Sequence, residues 1–337
     1  MSKRANASAA PALEPNELAS DELVVGGTHV GRGERVRLEL PIARLATGSW
    51  LSLPVSVVNG KFDGPRLCLS AAVHGDELNG VEIIRQVLGG LNPKKLRGAV
   101  MAVPVVNVFG FIEGTRYLPD RRDLNRSFPG SAKGSLTAQL ANLFMTEVVS
   151  RCQYGVDLHT GSNHRTNLPQ IRADLSDEET LRLARAFGAP IILNAKLRDG
   201  SLRAAASKQG VHMLLYEAGE THRFNEDAVA SGVRGVQRVM AALKMTGGRE
   251  EVEPSNVLRA EKSRWLRATR SGVFRAQVGL GDAVVRSQVV GAVSDTFGES
   301  ERRVRSTLSG VVIGQVTNPL VNRGDALLHI AESPIPL

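Results

Sequence analysis

The sequence predicts an α/β fold: a mostly parallel mixed sheet flanked by helices, followed by a small all-β region. Three observations carry this reading. Short, nearly continuous apolar runs alternate with stretches of helical period between residues 66 and 243. The pattern then breaks at the polar, turn-rich GGREEVEPSN, residues 247–256. Beyond it, short β runs are separated by Gly-Asp and Asn-Pro turns, and few helix signals survive. The chain therefore divides into a disordered tail over 1–22, a larger domain over 23–250 and a β-rich region over 251–337.

The elements follow in order. The tail is rich in Ala, Ser, Pro and charge and lacks an apolar stretch, so it reads as neither signal peptide nor anchor. Residues 36–58 alternate and carry many β-branched or Leu residues, which predicts edge strands feeding the sheet. RLCLSAAV, 66–73, and the run over 99–106 have the apolar continuity of strands buried on both faces. Between them, 80–91 reads as a helix with Val81, Ile84, Val87 and Leu88 on one side. Helices are expected at 136–149, 178–186 and 226–243, and strands at 154–158, 190–193 and 211–216. In the last region, Gly281-Asp282 and Gly324-Asp325 occupy similar places in two weakly similar segments. These halves look like a biotinyl/lipoyl-type barrel. No Lys sits in a modifiable hairpin, so a structural or homo-oligomer-forming use is expected rather than a carried cofactor.

Composition limits the function classes. With 42% hydrophobic and 23% charged residues the chain has an ordinary soluble profile. Aromatic residues are only 4%, which argues against stacking platforms for single-stranded nucleic acid. The net charge of +8 is spread without long basic runs, so an anion-reading site explains it more economically than nucleic acid. No run of about 18 apolar residues occurs, so no membrane partner is expected. Cys68 and Cys152 lie outside any CxxC pair and read as reduced, buried thiols, which makes the cytoplasm the default compartment.

The densest chemical signal is His74-Gly75-Asp76-Glu77, directly after an apolar run. Carboxyl ends of parallel strands are where α/β proteins place their sites. An imidazole and a carboxylate three residues apart can converge on one ion there. A second histidine, His159 of DLHT, ends another expected strand, and two His with one Glu form a known catalytic zinc set with one open position. His-x-x-Glu alone is common and says little. Asp157 points the same way as His159 on a strand and is either a support for that ligand or an ordinary strand-end carboxylate.

The loop RYLPDRRDLNRSFPG, 116–130, has neither helical nor strand period and is rich in arginine. Arginine forks match carboxylates, so beside a metal it would read an anionic substrate; without one it is a solvated basic loop. Glu217, ending an apolar run in YEAGE, is expected to be partly desolvated, with a raised pKa suited to general-base work. Glu220 competes for that role from a more exposed position.

HGDE, DLNRSFPG, DLHT and YEAGE, in this order, resemble the succinylglutamate desuccinylase/aspartoacylase family, part of the broader zinc carboxypeptidase-like group. The resemblance spans residues 45–245 and also fits the β-rich C-terminal region. It implies one Zn²⁺ per subunit on His74, Glu77 and His159, with Glu217 as general base. Asn125 and Arg126 would bind a substrate carboxylate. Arg116 would polarise the scissile carbonyl, with Arg122 an alternative. The segment 161–170 departs from aspartoacylase itself and should line the pocket that selects the substrate. Arg165 there is a candidate second carboxylate binder or a salt-bridged surface residue. The implied reaction is hydrolysis of the amide bond of an N-acyl amino acid. A metallocarboxypeptidase trimming acidic C-termini of peptides, and a non-catalytic binding protein on the same fold, are the alternatives.

Overall fold

In a computed structural model the described residues are 23–247 and 256–337. The expected tail, and most of the expected linker, lie outside them. The larger part of the chain contains β1 (Leu23–Val25), β2 (Thr28–Val30), β3 (Glu34–Arg44), β4 (Trp50–Asn59) and β5 (Phe62–Ala71). Then come α1 (Asn79–Gly90), β6 (Arg97–Val103), α2 (Val108–Glu113) and α3 (Leu136–Glu147). They are followed by β7 (Tyr154–Gly161), β8 (Arg165–Ala173), α4 (Glu178–Phe187) and β9 (Ile191–Asn194). The series ends with α5 (Leu202–Ser207), β10 (His212–Glu220) and α6 (Glu226–Ala242). The C-terminal region is all β. It holds β11 (Leu258–Ala260), β12 (Ser263–Arg267), β13 (Gly272–Ala276), β14 (Ala283–Val284) and β15 (Val289–Ser294). Its remaining strands are β16 (Glu301–Arg305), β17 (Gly310–Val316), β18 (Leu320–Val321), β19 (Ala326–Glu332) and β20 (Ile335–Pro336).

The main sheet runs in the order β12-β19-β17-β8-β10-β7-β5-β6-β4-β3. Its middle, β6-β5-β7-β10, is parallel, as the apolar runs at 66–73 and 154–158 predict. Both flanks are antiparallel. Helices cover both faces. One core holds Ile83, Ile84 and Val87 of α1, Leu183 and Phe187 of α4, and Val236 and Met240 of α6. The other packs Leu140 and Phe144 of α3 and Leu202 of α5 against Val57, Cys68 and Met101. Each such side chain contributes about 1.5–3 kcal/mol relative to exposure. That mass offsets a charged cluster buried at the strand ends, where each unpaired ion would cost several kcal/mol.

Local signals explain the helix ends. Asp177 caps α4 by accepting from the Thr180 amide at 3.2 Å, and Gly188 closes it in the left-handed conformation. Ser135 caps α3 through the Ala138 amide. Among the described residues no helix is long and apolar enough to cross a membrane. Cys68 and Cys152 are buried and unbridged.

One strand departs from the sequence reading. The sequence reading gives no strand between 161 and 173, but β8 starts at Arg165 and inserts between β10 and β17. Pro169 and the polar neighbours hide it, because a proline normally demotes a run from the middle of a sheet. The structure absorbs Pro169 at a bulge: Glu217 faces Gln170 and Gly219 faces Asn167, leaving two residues of β8 opposite one of β10. Through β8 the sheet passes without interruption into the C-terminal strands β17, β19 and β12.

Candidate active site and metal centre

The parallel strands β5, β7 and β10 deliver the site at their carboxyl ends. His74 and Glu77 follow β5, His159 lies near the end of β7, and Glu217 stands on β10 as the cross-strand partner of His159. His74 Nδ1 lies 2.8 Å from Glu77 Oε1, and His159 Nδ1 lies 2.7 Å from Glu77 Oε2. Donor atoms of the three side chains all fall within 4.8 Å of one another, and all three residues are buried. The Thr160 amide donates to Glu77 Oε2 at 3.1 Å and holds the carboxylate from behind.

The far side of each imidazole faces another carboxylate. His159 Nε2 is 2.8 Å from Asp157 Oδ2, and Ser70 Oγ donates to the other Asp157 oxygen at 2.7 Å. His74 Nε2 is 3.3 Å from Asp123 Oδ1. A carboxylate on Nε2 draws the proton there and turns the Nδ1 lone pair toward the common centre. Two imidazole nitrogens and one carboxylate fit a zinc-type cation as a donor set.

Electrostatics follow from this packing. Burial opposes the charge on Glu77, but His74 and His159 outweigh it and hold the carboxyl well below the usual range. For His159, burial pulls the pKa down, while Asp157 and Glu77 win and hold it well above its ordinary value. Asp123 is likewise held low, against burial, by His74 and Arg116.

A cavity of about 420 Å³ opens onto these donors and is lined by His74, Glu77, Arg116, Asn125, Arg126, His159, Arg165 and Glu217. Arg116 Nη2 pairs with Asp123 Oδ2 at 2.9 Å, and Nη1 lies 3.5 Å from Glu77 Oε1, beside the donor set. Arg122 does not line the cavity. Asn125 Oδ1 accepts from the Leu202 amide at 2.9 Å, at the start of α5, which leaves the amide nitrogen as the group that can donate onward. Gly200 allows that approach. Its φ is +74°, and a Cβ there would come 2.4 Å from the Arg126 carbonyl oxygen. Glu220 instead lies 3.4 Å from Arg223 and is absent from the cavity wall.

Glu217 is partly buried, as expected of a carboxylate that ends an apolar run, and its carboxylate meets polar groups. Asn167 Nδ2 donates to its Oε2 at 2.6 Å, and Arg172 Nε lies 3.7 Å from Oε1. These groups come from β8, the strand concealed by Pro169. The salt-bridged alternative for Arg165 also finds no counterpart, since among the described residues it has no ion pair. Its guanidinium lies over the Trp265 ring, 5.2 Å from the centroid.

Sequence reasoning missed Asp123, Asn167, Arg172, Lys196, Arg198, Arg203 and Trp265. Asp123 lies inside the quoted DLNRSFPG motif and was within reach. Arg165 and Asn167 stand two apart, a spacing that shares one strand face once the strand is recognised. The others reach the cavity only through tertiary pairing.

The family model of the succinylglutamate desuccinylase/aspartoacylase catalytic domain matches residues 63–243. The chain belongs to this family. It is 29% identical to an N-alpha-acetyl-L-2,4-diaminobutyric acid deacetylase of Halomonas elongata over 310 residues, 88% of this chain and 90% of that protein. Solved structures share the fold. A succinylglutamate desuccinylase/aspartoacylase of Rhodobacter sphaeroides aligns with a TM-score of 0.80 at 24% identity, covering 90% of this chain and 96% of that one. The product-bound ectoine utilization protein EutE of Ruegeria pomeroyi gives 0.80 at 23%, covering 89% and 95%.

Proposed function

We propose that the protein is a zinc-dependent deacylase that hydrolyses the amide bond of a small N-acyl amino acid. One observation carries the reading: a single cavity is lined by a His₂Glu donor set, a carboxylate on the neighbouring strand, and Arg116, Asn125 and Arg126. The kinship with an N-acetyl diamino acid deacetylase supports an amide substrate with a short acyl group. A volume of about 420 Å³ suits a small molecule better than a protein tail.

His74, Glu77 and His159 would hold the metal. Bound there, zinc would lower the pKa of a water toward roughly 7 and act as a Lewis acid toward a carbonyl. Glu217 takes the proton from the attacking water and returns it to the leaving amine. Arg116, kept ionised and aimed by Asp123 and Glu77, donates to the carbonyl oxygen as negative charge grows on it. Asn125 and Arg126 hold the amino-acid carboxylate, so that binding fixes the reacting geometry.

The test is a screen of N-acetyl and N-succinyl amino acids and glutamate-ended peptides with zinc-loaded protein. Turnover of the N-acyl amino acids, lost by at least about 10³-fold in Glu217→Gln while metal stays bound, is the expected result. Exclusive peptide cleavage, or turnover that survives Glu217→Gln, overturns the reading.

A further inference from the structure

Trp265 brings the C-terminal β region to the wall of the cavity. A row of residues crosses the sheet in register: Trp265 on β12 faces His329 on β19, His329 faces Gly314 on β17, and Gly314 faces Asn167 on β8. Cross-strand partners project to one side of a sheet. Trp265 and His329 stack with ring centroids 4.5 Å apart and planes 9° from parallel. The missing side chain at Gly314 makes the room. A Cβ there would lie 2.9 Å from Asn167 Oδ1, 3.2 Å from His329 Cβ and 3.4 Å from Trp265 Cη2.

Arg165, two residues before Asn167 on β8, holds its guanidinium over the Trp265 ring, 5.2 Å from the centroid. Its Nε is buried without a hydrogen-bond partner. Cation–π attraction to an indole restrains a guanidinium without using its N–H groups, which stay available to a planar anion. His329 adds no competing charge. Burial, then the positive charges of Arg172 and Arg165, push its pKa down to about 3, so it is a neutral ring at ordinary pH. Ser263 Oγ, 2.9 Å from His329 Nε2, fixes the ring.

We propose that Trp265 is a specificity-determining positioning residue. Braced by His329, it holds Arg165 at the cavity wall to receive a carboxylate on the substrate other than the one held by Asn125 and Arg126. The C-terminal β region then selects the substrate as well as extending the sheet. This rests on the deacylase reading for the identity of the substrate, but not for the existence of the anion subsite.

Two measurements test it. The first compares N-acyl amino acids with and without a second carboxylate in the wild-type protein, Trp265→Leu, Trp265→Phe and Arg165→Gln. Trp265→Leu and Arg165→Gln should raise KM for the two-carboxylate substrates about tenfold, with kcat within about threefold. The one-carboxylate substrates should change little, and Trp265→Phe should restore most of the loss. Equal effects on both substrate sets, or no rescue by Phe, overturn the proposal. The second uses binding alone. Trp50 is exposed on β4, so Trp50→Phe leaves Trp265 as the sole indole in the chain. Glutarate should then shift the Trp265 emission saturably, and Arg165→Gln should abolish the shift. No saturable shift, or one that survives Arg165→Gln, overturns the proposal even if turnover is found. A glutarate response that needs Arg165, in a protein that hydrolyses no N-acyl amino acid, upholds the subsite and removes the deacylase reading.

Discussion

The two ends of the cavity are built on opposite electrostatic plans. At the β5–β7 end, the donor atoms of His74, Glu77 and His159 are paired with one another or with Asp123, Asp157 and the Thr160 amide. At the β8 end, Arg165, Arg172 and Arg203 gather around the single carboxylate of Glu217, and the Nε atoms of Arg165 and Arg172 are buried without a hydrogen-bond partner. For Arg203, burial and then Arg172 pull the pKa down, the mark of cations crowded together out of water. With both imidazoles neutral, the first end sets three carboxylates, Glu77, Asp123 and Asp157, against the Arg116 guanidinium, a net negative charge held in place by its own hydrogen bonds. The second sets three guanidiniums against one carboxylate, Glu217, and keeps a positive surplus that an incoming anion can meet. A centre of the first kind suits a resident ion, and a wall of the second kind suits a transient, negatively charged substrate.

Replacing residues at the first end should have the largest effects and should act through the metal. His159→Ala removes one of three donors, so stoichiometric zinc should be lost on dialysis and activity with it. Asp157→Asn keeps the donor but weakens the acceptor behind it. Zinc affinity should fall about 10–100-fold, with activity recovered at excess zinc. Titration with a competing chelator measures both. Full zinc occupancy in His159→Ala would mean that the three residues are not the donor set.

This division also decides what was legible in the sequence. His74, Glu77 and His159 sit at the ends of apolar strands, and a strand end fixes both position and direction, so a linear reading reaches them. Glu217 was found for the same reason, since YEAGE closes β10 as DLHT closes β7. The parallel core and its helices were legible because strand and helix periods differ. The β8 wall was not. Pro169 disguises the strand, and Arg172 and Asn167 reach the cavity only because a bulge realigns them against β10. Trp265 lies far along the chain from every motif, and only the pairing of β17 with β8 brings it in. The polar partners of Glu217 are hidden from the sequence on the same account, because Asn167 and Arg172 come from that strand.

Asn167 joins the two ends, because its amide donates to Glu217 while its backbone pairs with Gly314. Asn167→Ala removes a hydrogen bond to a charged group, worth about 1.5–3 kcal/mol. If that bond holds the base where it meets water, kcat should fall about tenfold or more while KM stays within about twofold. A larger effect on KM would assign Asn167 to substrate binding instead.

Gly314→Ala is the smallest change and separates the two ends most sharply. The added methyl would press on Asn167 Oδ1 at 2.9 Å and on His329 Cβ at 3.2 Å, without approaching the metal donors. Overpacking of this kind costs about 1–3 kcal/mol of stability, read as a lowered midpoint in denaturant. The β strands on either side are held by backbone pairing that the methyl does not break, so the fold should survive. Zinc affinity should then be unchanged, while KM rises through the displaced Trp265–His329 pair that holds Arg165 and kcat falls through the displaced Asn167 amide. If zinc affinity falls as well, the two ends are mechanically coupled through β8, and the independence argued from their charge patterns fails.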